Sequence, residues 1–305
     1  MRQYGGGARK GTSLAAYEDR YWWSQDNLRL HYRDYAGRDD RPPIVCIPGL
    51  TRNVRDFEPI AERLAPDWRV ICVELRGRGE SAYAKDPMSY VPLVYLQDLI
   101  ALLDELALPK FVGIGTSLGG IMLMLLATTR NAQMAGALLN DIGPEIAEAG
   151  LERIRSNVGT SGPQPTWVHA ARALAEMQAT IYPKWRLQDW LRFAKRLYRL
   201  NSKGRMVLDY DQRIAEPFRV PGGETGVNLW PAFDALAGMP LALVRGALSD
   251  LLSAETAAAM KARLPSMDLT VVPRVGHAPT LEEPESVAAI DRLLARVAAH
   301  EPVSS

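Results

Sequence analysis

The residues best suited to chemistry lie in the run Gly115-Thr116-Ser117-Leu118-Gly119. A serine hydroxyl is a poor nucleophile until a base takes its proton, and that base needs a carboxylate to orient it. Four histidines are available, and three sit in unpromising places. His31 falls in an N-terminal hairpin, His169 in a helical stretch, and His300 in the final tail. His277, in Val275-Gly276-His277-Ala278-Pro279, directly follows an apolar strand-like run and is the expected base. Asp250 closes Arg245-Gly246-Ala247-Leu248-Ser249-Asp250 after another such run and is the expected acid. Asp141, in Leu139-Asn140-Asp141-Ile142-Gly143-Pro144, is its rival, placed second because that string reads as a turn. The chemistry would be acyl transfer, with His277 activating Ser117 against a carbonyl and water releasing the acyl group. The backbone N–H groups of Leu50 and Leu118 are the expected oxyanion donors; the claim rests on their positions.

Such residues must be carried by particular elements. The runs Ile44–Ile47, Val70–Val73, Phe111–Ile114, Ala137–Leu139, Leu241–Val244 and Leu269–Val272 are β-rich and bounded by Gly, Pro or Asp. Helical spacing separates them, as in Leu96, Leu99, Ile100, Leu103 and Leu106. Strands that are apolar throughout imply burial on both faces, hence a mostly parallel α/β sheet covered by helices. Tyr21–Ser24 and Leu28–Tyr35 read as an antiparallel hairpin at the sheet edge, making about eight strands in all. Ser117 then stands between a strand and a helix, on a turn tight enough to require Gly115 and Gly119. Residues 144–235 break the alternation with helices such as Thr166–Ile181 and Leu187–Leu200 and no convincing strand. The expected organisation is a tail at 1–17, a core at 18–143 and 236–300, and a helical cap at 144–235. The cap would cover the carboxyl edge of the sheet, where open α/β sheets place their ligands.

Composition excludes little else. At 305 residues, 47% hydrophobic and 23% charged, the chain reads as globular, and a net charge of +1 gives no whole-chain argument for nucleic acid. Cys46 and Cys72 lie in apolar runs and read as buried thiols of a reducing compartment. The Gly-rich N-terminus does not read as a signal peptide, and no stretch approaches the ~20 apolar residues of a membrane span. A cytoplasmic protein acting on a small molecule is therefore expected. The turn Glu74-Leu75-Arg76-Gly77-Arg78-Gly79-Glu80-Ser81 is glycine-rich but lacks the Gly-Lys-Ser/Thr of a phosphate loop. Aromatic side chains crowd the insert, and Trp167, Trp185, Trp190, Tyr210 and Trp230 are the expected pocket residues. From Lys184 to Arg205 eight basic residues face one acid, Asp189. A solvated outer face explains them most simply; steering of an anionic substrate and contact with a membrane surface are the sharper alternatives.

Three strings together resemble motifs of the α/β-hydrolase superfamily, in its capped members. They are Gly-Thr-Ser-Leu-Gly-Gly at the nucleophile, Leu-Arg-Gly-Arg-Gly-Glu-Ser after the fourth strand, and Gly-His-Ala-Pro-Thr-Leu-Glu-Glu-Pro-Glu around His277. The likeness covers about residues 18 to 298. It implies an eight-stranded sheet, a Ser–His–Asp triad, no cofactor or metal, and hydrolysis of an ester, lactone, amide or carbon–carbon bond. An ester of a small to medium, largely apolar substrate is the leading expectation. A lactonase or carbon–carbon hydrolase of aromatic degradation comes next, and a ligand-binding protein without turnover last. Two positions depart from the family pattern: Pro48 stands where a histidine usually precedes the glycine, and Glu74 where aspartate is commoner.

Overall fold

The computed structural model describes residues 17–219 and 228–300. All but the last residue of the expected N-terminal tail lie outside them. Eight strands form one sheet: β1 (Tyr17–Trp23), β2 (Arg29–Tyr35), β3 (Ile44–Ile47), β4 (Val70–Glu74), β5 (Phe111–Thr116), β6 (Met134–Asn140), β9 (Leu241–Gly246) and β10 (Asp268–Val272). Their spatial order is β1-β2-β4-β3-β5-β6-β9-β10. The β1/β2 and β2/β4 pairs are antiparallel, and every other pair is parallel. The chain between β1 and β2 turns where expected, with Asn27 at a φ of 59° and the Leu28 N–H donating to Ser24 Oγ.

The apolar strands feed two cores at once. On β3, Val45 and Ile47 join one core while Ile44 and Cys46 join the other, and all four are fully buried. One face is covered by α2 (Pro92–Glu105), α3 (Leu118–Arg130) and α8 (Ala254–Arg263), the other by α1 (Glu58–Leu64) and α9 (Pro284–His300). Two covered faces explain why these strands do not alternate polar with apolar residues. Cys46 and Cys72 are register partners in β3 and β4, both free and buried, and burial pushes the Cys46 thiol up.

Between β6 and β9 lie α4 (Glu148–Asn157), α5 (Trp167–Gln178), α6 (Leu187–Leu197) and α7 (Trp230–Asp234). This segment also holds a two-stranded antiparallel ribbon, β7 (Tyr198–Leu200) with β8 (Met206–Leu208), where helices alone were expected. Each ribbon strand is only three residues long and was too short to register as a periodic run. Among the described residues no helix is long and apolar enough to cross a membrane.

Candidate active site

Because β3, β5, β6, β9 and β10 run parallel, their carboxyl ends share one edge of the sheet. The turns leaving those ends carry Leu50, Ser117, Asp141, Asp250 and His277 respectively. Topology alone therefore collects the expected side chains, and the turns decide which of them meet.

Ser117 has φ 53° and ψ −117°, a conformation that L-residues avoid at a cost of about 1–3 kcal/mol. The surrounding packing enforces it. A Cβ on Gly119 would lie 2.1 Å from the Ile47 carbonyl oxygen, and one on Gly115 would lie 2.5 Å from the backbone of Gly119. Strand β5 and helix α3 are pressed together at the elbow that carries Ser117. His277 Nε2 stands 2.9 Å from Ser117 Oγ, and its Nδ1 stands 2.8 Å from an Asp141 carboxylate oxygen. With the Nδ1 proton donated to Asp141, Nε2 is free to accept the serine proton.

The carboxylate that meets His277 is thus that of Asp141, and the expectation that Asp250 would do so is corrected. Asp141 is fully buried, and its carboxylate also accepts from the Gly246 N–H at 2.7 Å and from Ser249 Oγ at 2.6 Å. Three donors around one buried carboxylate meet the requirement that a desolvated charge be hydrogen-bonded. Asp250 points the other way. Its two oxygens take Nε and Nη2 of Arg153 on α4, at 2.5 and 2.8 Å. Burial works to raise its pKa, and the Arg153 guanidinium outweighs that, holding the carboxyl below its ordinary value.

The loop bearing His277 is tied down from both sides. Asn140 Nδ2 donates to the Pro279 carbonyl and to Thr116 Oγ1, joining the ends of β5 and β6 to this loop. From the insert, the Ile181 carbonyl accepts from the Gly276 N–H and the Tyr182 hydroxyl donates to the Ala278 carbonyl. Sequence inspection missed Asn140 as a site residue, although its place one residue before Asp141 at a strand end was a usable signal.

The Leu50 carbonyl accepts from Arg78 Nε at 2.8 Å and Nη2 at 2.6 Å. Arg78 is fully buried, reaches the Tyr95 hydroxyl and stacks near its ring. A guanidinium from the turn after β4 therefore braces the loop that Pro48 opens. Leu118 is the first residue of α3, so its N–H has no partner within the helix. Glu74, the other departure, is also structural: its carboxylate accepts from the Glu80 N–H and contacts His31 Nδ1 at 2.7 Å.

A cavity of about 170 Å³ opens beside Ser117 and His277. Its apolar wall is formed largely by Ile154, Val158, Leu174, Met177, Ile181 and Leu208. Of the five expected aromatic pocket residues, only Tyr210 lines it. The others are corrected. Trp185 and Trp190 pack with Tyr182 and Phe193 in a cluster where Trp185 stacks on Tyr182 at 3.8 Å. Trp167 packs against the core that α5 and α6 share, and Trp230 donates its indole N–H to Glu145. The insert needs its own core, and large rigid rings build it while thinner aliphatic chains face the cavity. Three of the eight basic residues of the expected steering stretch form ion pairs among the described residues: Arg192 with Asp189, Arg196 with Glu282, and Arg199 with Asp209.

An eight-stranded sheet with a serine elbow and a histidine loop at its carboxyl edge defines a class. The chain belongs to the alpha/beta hydrolase family, whose model matches residues 44–290. It is 34% identical over 269 residues to a 3-hydroxybutyrate-oligomer hydrolase of Cupriavidus necator, covering 85% of this chain and 90% of that protein. An esterase of Mycobacterium tuberculosis is 25% identical over 258 residues, with 82% of each chain covered. Among solved structures, an alpha/beta hydrolase from Novosphingobium aromaticivorans is 58% identical with a TM-score of 0.90, covering 93% of this chain and all of that one.

Proposed function

We propose that this protein is a serine hydrolase that cleaves carboxylic esters through an acyl-enzyme. The observation that carries this reading is the relay Ser117–His277–Asp141, with both contacts within 2.9 Å. His277 takes the hydroxyl proton as Ser117 Oγ attacks the ester carbonyl. The N–H groups of Leu50 and Leu118 hold the oxyanion, and Asp141 stabilises the imidazolium. The imidazolium then gives its proton to the departing alcohol, and a water activated by His277 releases the acid and regenerates Ser117. The insert is a cap that closes the acyl site with an aliphatic wall, so the substrate is small to medium in size. The ester preference is supported by the relatives, one named for 3-hydroxybutyrate oligomers and one an esterase.

A fluorophosphonate probe should label wild-type protein at Ser117 and leave Ser117→Ala unlabelled. That variant should lose on the order of 10³-fold or more in kcat on p-nitrophenyl esters. Near-normal turnover by Ser117→Ala would end the proposal.

A further inference from the structure

If Asp250 is not the triad acid, its engagement of Arg153 has another use. The charged groups lining the cavity beside Ser117, apart from His277, are Arg52, Asp56, Arg153 and Arg196. Three guanidinium groups thus face one carboxylate. Arg52 is neutralised within the wall itself, bonded through Nε and Nη2 to Asp56 at 2.6 Å each and laid over the Phe193 ring. Arg196 turns its guanidinium to Glu282, and the two line a neighbouring cavity. Arg153 differs from both. Arg153 lines the cavity, and its counter-ion Asp250 is not among the described residues of the cavity wall.

The geometry of the guanidinium completes the argument. Asp250 takes the Nε–Nη2 edge of Arg153, and no described residue is hydrogen-bonded to Nη1. A guanidinium has five N–H donors in a rigid fork, so the Nη1–Nη2 edge can still accept a second carboxylate bidentately. The pairing behind it fixes the side chain, which lowers the entropy lost on binding. Arg153 lines the same cavity as Ser117 and His277, so a substrate held there is within its neighbourhood.

We propose that Arg153 reads a free carboxylate on the substrate, making the preferred ester one that carries an acid group near the scissile bond. An ester of a hydroxy acid, cut from the end of a short chain, has that form. This rests on the ester-hydrolase reading above and narrows it to anionic esters. It also moves the anion-binding role from the basic stretch of α6 to α4.

Two matched pairs test it. The first is mono-p-nitrophenyl adipate against p-nitrophenyl hexanoate, with the charge on the acyl side. The second is 3-(butanoyloxy)butanoate against its primary amide, with the charge on the alcohol side. In the Arg153→Gln/Asp250→Asn double variant, which leaves no orphan carboxylate, the charged-to-neutral ratio of kcat/KM should fall about tenfold in one pair. The pair that responds shows which side of the bond Arg153 reads. A ratio that falls in neither pair overturns the proposal. Kd values for the second pair in Ser117→Ala, with and without the Arg153 and Asp250 substitutions, read the same preference without turnover. A charge preference in Kd that depends on Arg153, found without labelling of Ser117, would fault the reaction and keep the carboxylate site.

Discussion

The turns after β6 and β9, neighbouring strands of the sheet, each carry an aspartate, and they put those aspartates to opposite uses. Asp141 immediately follows its strand at φ 56°, wholly buried, with its carboxylate aimed along the sheet at the start of the next turn. Asp250 comes four residues past its strand, keeps a side chain 34% exposed, and turns outward to an arginine of the insert. A place in the turn after a sheet strand is therefore not what makes an orienting carboxylate. A charge without solvent must be matched by donors, and the Asp141 site supplies Gly246 N–H, Ser249 Oγ and His277 Nδ1. The β9 turn contributes to the site mainly as a donor to the carboxylate of the β6 turn.

Exchanging the two acids should separate the turns most widely. Asp141→Asn keeps the shape but lets the ring adopt the wrong tautomer, and kcat should fall on the order of 10³- to 10⁴-fold. Asp250→Asn should cost less than about tenfold on neutral p-nitrophenyl esters. The reverse ranking, in steady-state kinetics of the two variants, would break the comparison. Removing the brace beneath the oxyanion loop comes next: Arg78→Met frees the Leu50 carbonyl and should lower kcat on the order of 10- to 100-fold, with KM changed little.

Ser249→Ala tests the donor role of the β9 turn directly. It leaves Asp141 two of its three donors and should cost about 1 kcal/mol of stability, read by denaturant melts, with kcat reduced by less than tenfold. The smallest effect concerns pH. Since Asp250 is held below its ordinary pKa in the folded protein, its pair with Arg153 stabilises the fold above about pH 4, where the unfolded carboxyl is ionised. That contribution fades as pH falls through the lowered folded value. Solvent screening keeps it under about 1 kcal/mol. The Tm gap between wild type and Asp250→Asn should accordingly be small at pH 7 and narrow progressively as pH falls below about 4.

Much of this site was visible before folding was considered. Ser117, with strand before and helix after, and His277, directly past a strand-like run, were legible because local backbone chemistry limits where such residues fit. Asp250 and four of the five aromatic pocket residues did not hold, for a shared reason. Whether an aspartate meets a histidine depends on β6 and β9 being neighbours in register, with Asn140 opposite Val244, across a hundred residues of intervening chain. Whether a tryptophan faces substrate or core depends on how α5 and α6 pack, which amphipathic spacing leaves open.

The sequence by itself determined a doubly covered parallel sheet, the serine elbow and the histidine that serves it. These rest on short-range constraints: continuous apolar runs, glycines where backbones collide, and a tight β–α turn. Only the tertiary structure decided which carboxylate meets His277, which arginine of the cavity wall has its counter-ion outside that wall, and which side chains form it. Those outcomes depend on desolvation and donor supply, properties of a buried place that no single stretch of chain contains.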